Sequence, residues 1–337
     1  MHFIRLISTR LMRMSRLSIA VIIVLVVLSS ATISYALEPD TFGSWFNALY
    51  WVLTTMATVG YGDFYPATVA GKVWTMLLYI FGIGMLSLVI GKIIDSIALI
   101  QKKRGAGKLS YSGSDHIVII NWSKKAQTAV EEILSCQPKR EIVIVDEGNR
   151  HPQEHLPTVH FVSGDPAEDD VLAKAGIERA KSAIIFSDIR IDESALIDGK
   201  SLLIASSVER IAPQVHTTVE IMQEKHIRNF HHVQVNEFVL SHDAISRLAV
   251  RSALHEGNSE VLRQLLSRQY GDDIYEVPVN RAWKTYGDAF RGLLEQGATL
   301  ISDRGDLSIN RKLGESIPSG ARLFIICDSD TYQRLAK

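Results

Sequence analysis

The chain has 337 residues, enough for two or three domains, and a formal net charge of −1 at neutral pH. That balance excludes the broad basic field that nucleic-acid binding needs. The two cysteines, Cys136 and Cys327, stand far apart and outside any Cys-x-x-Cys pattern, which fits a reducing compartment and gives no disulfide framework or zinc site.

Residues 17–37 form a run of 21 without a charge, rich in Ile, Val and Leu. That is enough to cross a hydrocarbon core of ~30 Å. Arg5, Arg10, Arg13 and Arg16 precede the run, which places the N-terminus in the cytoplasm. Ser34 and Ala36 would suit a signal-peptide cleavage site. However, the run exceeds a signal core and more apolar sequence follows. Residues 73–91 are a second run, 19 long and uncharged. It continues past Lys92 and Asp95 to Ile100, then meets Lys102, Lys103 and Arg104, which mark another cytoplasmic end. Two spans with both ends inside are self-consistent. They leave no separate Arg-rich helix of the kind that senses voltage.

Residues 41–62 also lack a charge. A third full span there would place the rest of the chain outside, against the basic flank at 102–104. The stretch therefore dips in and returns. Residues 44–57 read as a short re-entrant helix with Ser44 as N-cap. Its C-terminal end points inward, where its partial negative charge favours a cation. Trp45, Tyr50, Trp51 and Trp74 serve as packing or interfacial anchors. Thr58-Val59-Gly60-Tyr61-Gly62-Asp63 follows as non-helical backbone at membrane depth, tolerable only where it is packed in protein and lines an ion path. Gly60 and Gly62 adopt left-handed angles at little cost, so successive carbonyls can face one axis. Thr58 adds a hydroxyl oxygen at the inner end. One strand of carbonyls cannot surround an ion, so the motif works only as a ring of subunits. Within the second span, Gly82 and Gly84 each cost ~1 kcal/mol relative to Ala. They read either as a gating hinge or as close helix packing.

Residues 101–115 are polar with three glycines and read as a linker. Short apolar runs then alternate with helical stretches. The runs are 116–120, 141–146, 158–162, 183–186, 215–219 and 232–235. The helices lie near 123–136, 168–176, 191–210, 221–229 and 238–254. Continuous apolar strands alternating with helices indicate a parallel sheet covered on both faces, a Rossmann-like domain. In the first strand–helix turn, Asn121, Ser123 and Ala126 stand where a Gly-x-Gly-x-x-Gly pyrophosphate cradle would have its glycines. Asp146 ends the second strand, where an acid meets a ribose hydroxyl or is a satisfied strand-end acid, and Gly164-Asp165-Pro166 follows the third. Residues 255–271 connect to a small α+β lobe at 272–337, with strands near 274–279, 298–302 and 322–327 and a helix near 285–295.

With these residues in view, the chain resembles the prokaryotic two-span potassium channels that carry a cytosolic RCK domain, a regulator of K⁺ conductance. The resemblance covers nearly the whole length. It rests on the filter at 58–63, Gly82 and Gly84, residues 116–122, Gly164-Asp165-Pro166 and the lobe beginning near Tyr275-Glu276-Val277-Pro278. It implies a homotetrameric pore in the bilayer, K⁺ held in the filter, and RCK domains assembled in a gating ring. In calcium-gated members, an acid ending the fourth strand and two acids after the fifth hold Ca²⁺. Ser187, Glu220 and Met222 match those places here, with Asp188, Asp192, Glu193 and Glu224 nearby in sequence. The regulatory ligand is therefore left open between a divalent cation such as Ca²⁺ and an adenine nucleotide.

The sequence thus describes a pore domain at 1–100, a linker at 101–115, a Rossmann-like lobe at 116–254, a connecting segment at 255–271 and a C-terminal lobe at 272–337. The reading is a ligand-gated potassium channel subunit of a prokaryotic plasma membrane and not an enzyme. A regulatory subunit of a potassium transporter would lack its own filter. An NAD-dependent oxidoreductase is opposed by Asn121, Ser123 and Ala126.

Overall fold

A computed structural model describes residues 16–267 and 271–335. Arg5, Arg10 and Arg13, which argued for a cytoplasmic N-terminus, lie outside the described residues. The chain divides into two compact units at Gln101/Lys102.

The first unit begins with helix α1 (Arg16–Leu37), followed by a single turn, α2 (Pro39–Phe42), and the short helix α3 (Trp45–Met56). The Ser44 hydroxyl accepts the Asn47 amide at 3.2 Å and starts α3 as expected. The long helix α4 (Val69–Gly105) completes the unit. α1 and α4 are long and apolar enough to cross a membrane. α3 is 12 residues, too short to span, so it is the re-entrant element. Ala31, Phe42, Ala48, Trp51, Val52 and Leu78 form its small core.

One buried acid ties this unit together. The Glu38 carboxylate accepts the Thr68 amide, the Thr68 hydroxyl and the Thr41 hydroxyl, each at 2.7 Å. Thr68 in turn caps α4, its hydroxyl accepting the Gly71 amide at 3.1 Å. The end of α1 is thereby fastened to the start of α4, with a carboxylate placed at a helix N-terminus. Gly71 provides the room, because any Cβ there would collide with the Glu38 carboxylate.

The second unit opens with β1 (Ile117–Ile120), α5 (Lys124–Cys136), β2 (Ile142–Asp146), β3 (Val159–Ser163), α6 (Asp169–Lys174), β4 (Ser182–Ile185), α7 (Ser194–Ile211), β5 (His216–Ile221), β6 (Glu237–Leu240) and α8 (Ser241–Leu254). All six strands pair in parallel, in the order β3-β2-β1-β4-β5-β6. Successive strand residues serve opposite faces. Val118, Ile120, Val143 and Val145 enter one core, and Ile119, Ile142 and Ile144 the other. The order reverses between β1 and β4, and the crevice at their carboxyl ends is where ligands bind in such sheets.

The last strand departs from expectation. Residues 232–235 form no strand, because a 3₁₀ turn at Glu224–Phe230 runs into further turns, with Val233 N bonded to Phe230 O. The chain joins the sheet only at Glu237, after Asn236 Oδ1 accepts the Thr217 amide at 2.7 Å. β6 then passes into α8 with no turn residue between, which made it read as part of the helix.

Helix α9 (Asn258–Leu266) leads to a three-stranded antiparallel sheet, β7-β9-β8, built from β7 (Asp273–Val277), β8 (Thr299–Asp303) and β9 (Leu323–Cys327). α10 (Tyr286–Leu294) covers it behind a Thr285/Asp288 capping box, and α11 (Ser329–Leu335) closes the lobe.

The segment between α4 and β1 lies along the second unit and is hydrogen-bonded to it. Ser163 N donates to Gly107 O at 3.0 Å, Tyr111 N to Lys174 O at 2.8 Å and Asp115 N to Arg179 O at 2.8 Å.

Replacing Glu38 by Ala removes the three hydrogen bonds to its carboxylate, two of which join the end of α1 to Thr68 at the start of α4. The expected cost is about 1–2 kcal/mol, because Thr68 is reachable by water once the acid is gone. Thermal unfolding of the solubilised protein checks this, with Glu38→Gln losing less than Glu38→Ala.

Candidate functional site: an ion filter and a charged crevice

The filter begins where α3 ends. Thr54 O accepts the amides of Val59 at 2.9 Å and Gly60 at 3.3 Å, and Thr55 O accepts that of Thr58 at 3.0 Å. The entry donors are thus satisfied by the last turn of α3. Alternate residues then take positive φ: Thr58 at 60°, Gly60 at 54° and Gly62 at 80°. Glycine takes these angles freely, whereas Thr58 holds a sparsely populated one against strain. Tyr61 stacks on Tyr50 of α3 with ring centroids 6.4 Å apart and planes parallel. Trp51 packs on Phe42, which also meets Phe64 beyond the filter. The Trp45 indole donates to Thr32 Oγ1 and the Trp74 indole to Ser34 Oγ, so both anchor on α1. A cavity of 330 Å³ lies against the inner end of the filter, lined by Thr55, Thr58, Gly60, Tyr79 and Ile83.

The two inner-helix glycines differ. A Cβ at Gly82 would lie 3.3 Å from Met56 Cγ, so this glycine lets α4 approach the end of α3. A Cβ at Gly84 would meet nothing within 4 Å. Packing therefore accounts for Gly82 and leaves Gly84 as the candidate hinge.

The crevice of the second unit gathers Asn121, Ser123, Asp146, Asp188 and Glu220 at or just beyond strand ends. Asn121 takes the left-handed conformation, at φ 68°, which Asn tolerates in place of glycine. Its Nδ2 donates to Phe186 O at 2.7 Å, and its Oδ1 is buried without a partner. Ser123 caps α5, and Ala126 is fully buried against the sheet. Asp146 accepts the Trp122 amide at 3.0 Å and the Gly148 amide at 2.8 Å. The carboxylate that would meet a ribose is thus already holding two loops. Gly164 lets the chain pass Val171, with which a Cβ would collide, and Asp165 accepts the Ala167 amide. These two residues shape a turn.

The five acids considered for a divalent cation do not converge. Asp188 is held by Arg190 at 2.7 Å and Lys200 at 2.8 Å, and Lys200 also reaches Glu147 at 2.6 Å. Glu220 accepts the Ser187 amide at 2.9 Å and hydroxyl at 2.7 Å and pairs with the Lys125 ammonium. Asp192 and Glu193 are exposed on the loop before α7, and Glu224 begins the 3₁₀ turn. Among the described residues, no group of three or more His, Cys, Asp or Glu side chains is placed to hold a metal. Sequence reasoning missed Lys125, Arg190 and Lys200. The residues were visible, but their partners come from other strands and loops.

Burial opposes the charge on Glu220. Lys125, Ser187 and Ser241 outweigh it and hold the carboxyl below the ordinary glutamate range. Asp188 is likewise opposed by burial, and Arg190 and Lys200 hold it well below its ordinary value.

A filter-bearing pore joined to a parallel-sheet ligand domain defines a membrane ion channel with a regulatory domain. Residues 22–98 match the ion channel family model and residues 117–241 the TrkA-N domain model. A Bacillus subtilis protein named "Putative potassium channel protein YugO" is 31% identical over 229 residues, which cover 68% of this chain and 69% of that protein. TvoK of Thermoplasma volcanium, named a calcium-gated potassium channel, is 30% identical over 237 residues, covering 69% and 67%. The chain belongs to this family of potassium channel proteins. Among solved structures, the GsuK channel bound to NAD aligns with a TM-score of 0.47 at 17% identity. The alignment covers 95% of this chain and 59% of that one, so the chain spans less than two thirds of its length.

Gly84→Ala should fold normally, stiffen α4 by ~1 kcal/mol and change open probability in single-channel recording. Gly82→Ala should instead displace Met56 and lower thermal stability, because its Cβ meets a neighbour. Lys125→Met leaves Glu220 charged and without its ammonium. We expect a loss of about 1–3 kcal/mol at pH 7, a broken buried pair discounted for the partly exposed lysine. Because the folded Glu220 carboxyl is depressed, the pair stabilises above the ordinary glutamate value, and this is lost as pH falls through the lowered value. The stability gap between wild type and variant should be widest at neutral pH and close in acid.

Proposed function

We propose that the chain is one subunit of a homotetrameric, potassium-selective channel, gated by a cytosolic ligand at the crevice of its RCK domain. The alternation of positive φ at Thr58, Gly60 and Gly62, between two spanning helices, carries the pore assignment. A ring of four such strands replaces the hydration shell of K⁺ with backbone carbonyls. Both termini are cytoplasmic on this reading, from the basic flanks at 5–16 and 102–104. A cysteine near Asp40 should label from outside and one near Lys108 only after permeabilisation.

The crevice favours a phosphate-bearing ligand of the adenine-nucleotide class over a divalent cation. Lys125, Arg190 and Lys200 already occupy the acids there, and by exchanging partners they can offer ammonium and guanidinium groups to an anion. TvoK is named calcium-gated. In this chain the Lys125 ammonium contacts the one acid that falls at a matching position, Glu220. Exposed Ile245, Val250 and Leu254 on α8, with Val261 and Leu266 on α9, support packing of further copies into a ring. Shifting a gate from 1:99 to 99:1 takes ~5.5 kcal/mol, which several weak sites can share.

The test is flux through reconstituted protein. Wild type should pass K⁺ in strong preference to Na⁺, and equal permeability would sink the proposal. Gly62→Ala should abolish selective flux, because an L side chain resists φ of 80°. ATP, ADP or NAD should shift open probability and Ca²⁺ should not, with the nucleotide effect reduced in Arg190→Gln.

A further inference from the structure

β3 is an edge strand of the parallel sheet, so the amides and carbonyls along its outer side need partners from outside the sheet. The end of α4 and the segment after it supply them. Gly107 O accepts the Ser163 amide at 3.0 Å, and Leu109 O accepts from His160 Nε2 at 2.9 Å. Arg104, in the last turn of α4, donates to Pro157 O at 3.3 Å and Val159 O at 3.4 Å. Gly107 makes the approach possible. It is buried at φ 65°, and a Cβ there would lie 2.5 Å from Ser163 N. Residues 105–115 are thus a docked strap, and α4 runs into it at Gly105 without a break in the chain.

Ser163 has a second contact. Its amide holds the strap, while its hydroxyl donates to Gly148 O at 2.5 Å. Gly148 lies in the loop after β2, next to Glu147. That glutamate is held by Lys200 at 2.6 Å and Arg190 at 3.5 Å, two cations of the crevice. The Gly164 amide also donates to Asp146 O, but that bond continues the ladder between β2 and β3 and stops short of the loop. The route from crevice to strap is therefore Lys200 to Glu147, Gly148 to Ser163, and Ser163 to Gly107.

We propose that Ser163 is the positioning residue that carries a change at the crevice to α4, a role that rests on the ligand gating proposed above. An anion that takes Lys200 and Arg190 from Glu147 frees the loop after β2. The Ser163 hydroxyl passes that displacement to the strap, and the strap cannot shift without moving the last turn of α4, to which it is bonded covalently. Ser163 touches neither the crevice cations nor the filter, so its effect is on coupling and not on binding or conduction.

The experiment is a double-mutant cycle on the purified full-length channel. Glu147→Gln stands for the ligand, because it releases the loop from Lys200. Amide hydrogen exchange is read at residues 106–112, with the C-terminal lobe as the folding control. In the wild-type background Glu147→Gln should raise exchange there by about threefold, the scale of one hydrogen bond. In Ser163→Ala it should add nothing, and Ser163→Thr, which keeps the hydroxyl, should restore the response. Gly107→Ala should undock the strap by collision with Ser163 and leave Glu147→Gln without further effect. The open-to-closed ratio in single-channel recording should follow the same pattern. An equal response to Glu147→Gln with and without the Ser163 hydroxyl overturns the proposal. So does no response in wild type, or a strap still protected in Gly107→Ala. A wild-type channel indifferent to ATP, ADP and NAD overturns the nucleotide reading alone, because no arm of the cycle contains a nucleotide.

Discussion

No water reaches the middle of a bilayer, so every backbone N–H and C=O there needs a partner inside the protein. The proposed filter at 58–63 is non-helical backbone whose carbonyls would be left for an ion. The rest of the pore unit follows from making that safe. The donors at the filter's start are taken by Thr54 and Thr55 carbonyls. Tyr50 and Trp51 of α3 stand behind it, Tyr50 stacked on Tyr61. Beyond the filter, Glu38 holds the returning chain at Thr68.

The crevice obeys a related constraint in a different medium. Asp188 and Glu220 are nearly fully buried, and a buried carboxylate is costly unless paired and hydrogen-bonded. Each is paired with a cation, Glu220 with Lys125 and Asp188 with Arg190 and Lys200. A ligand bound at the proposed site would compete with these internal partners, and the exchange of partners would be a physical route from binding to a shift of α7 or of the β4–α7 loop. The first glycine position of the usual dinucleotide turn is held by Asn121 in a left-handed conformation, so the turn keeps its shape while gaining a side chain.

Much of this was legible in the residues. Hydrocarbon thickness fixes the length of a span, so α1 and α4 were readable from charge-free runs. Ser44 announced α3, and periodic apolar strands announced the parallel sheet. What could not be read were contacts made across the sequence. Lys125 lies 95 positions from Glu220 and Lys200 lies 53 from Glu147, so nothing local marked them as partners. The same holds for Gly82 and Gly84. They look alike in the chain and differ only because Met56 stands beside one of them. β6 was hidden because a four-residue strand that runs straight into a helix leaves no turn signal.

Gly60 and Gly62 carry one further consequence. Within the subunit, a Cβ at either position would meet nothing within 4 Å. Within one subunit, a side chain there is opposed by handedness and not by volume. An α-carbon of the opposite chirality favours positive φ as strongly as natural residues avoid it. A semisynthetic subunit with D-alanine at position 62 would keep the backbone path that L-alanine disturbs. What the genetic code offers as glycine is, in stereochemical terms, a stand-in for a D-amino acid.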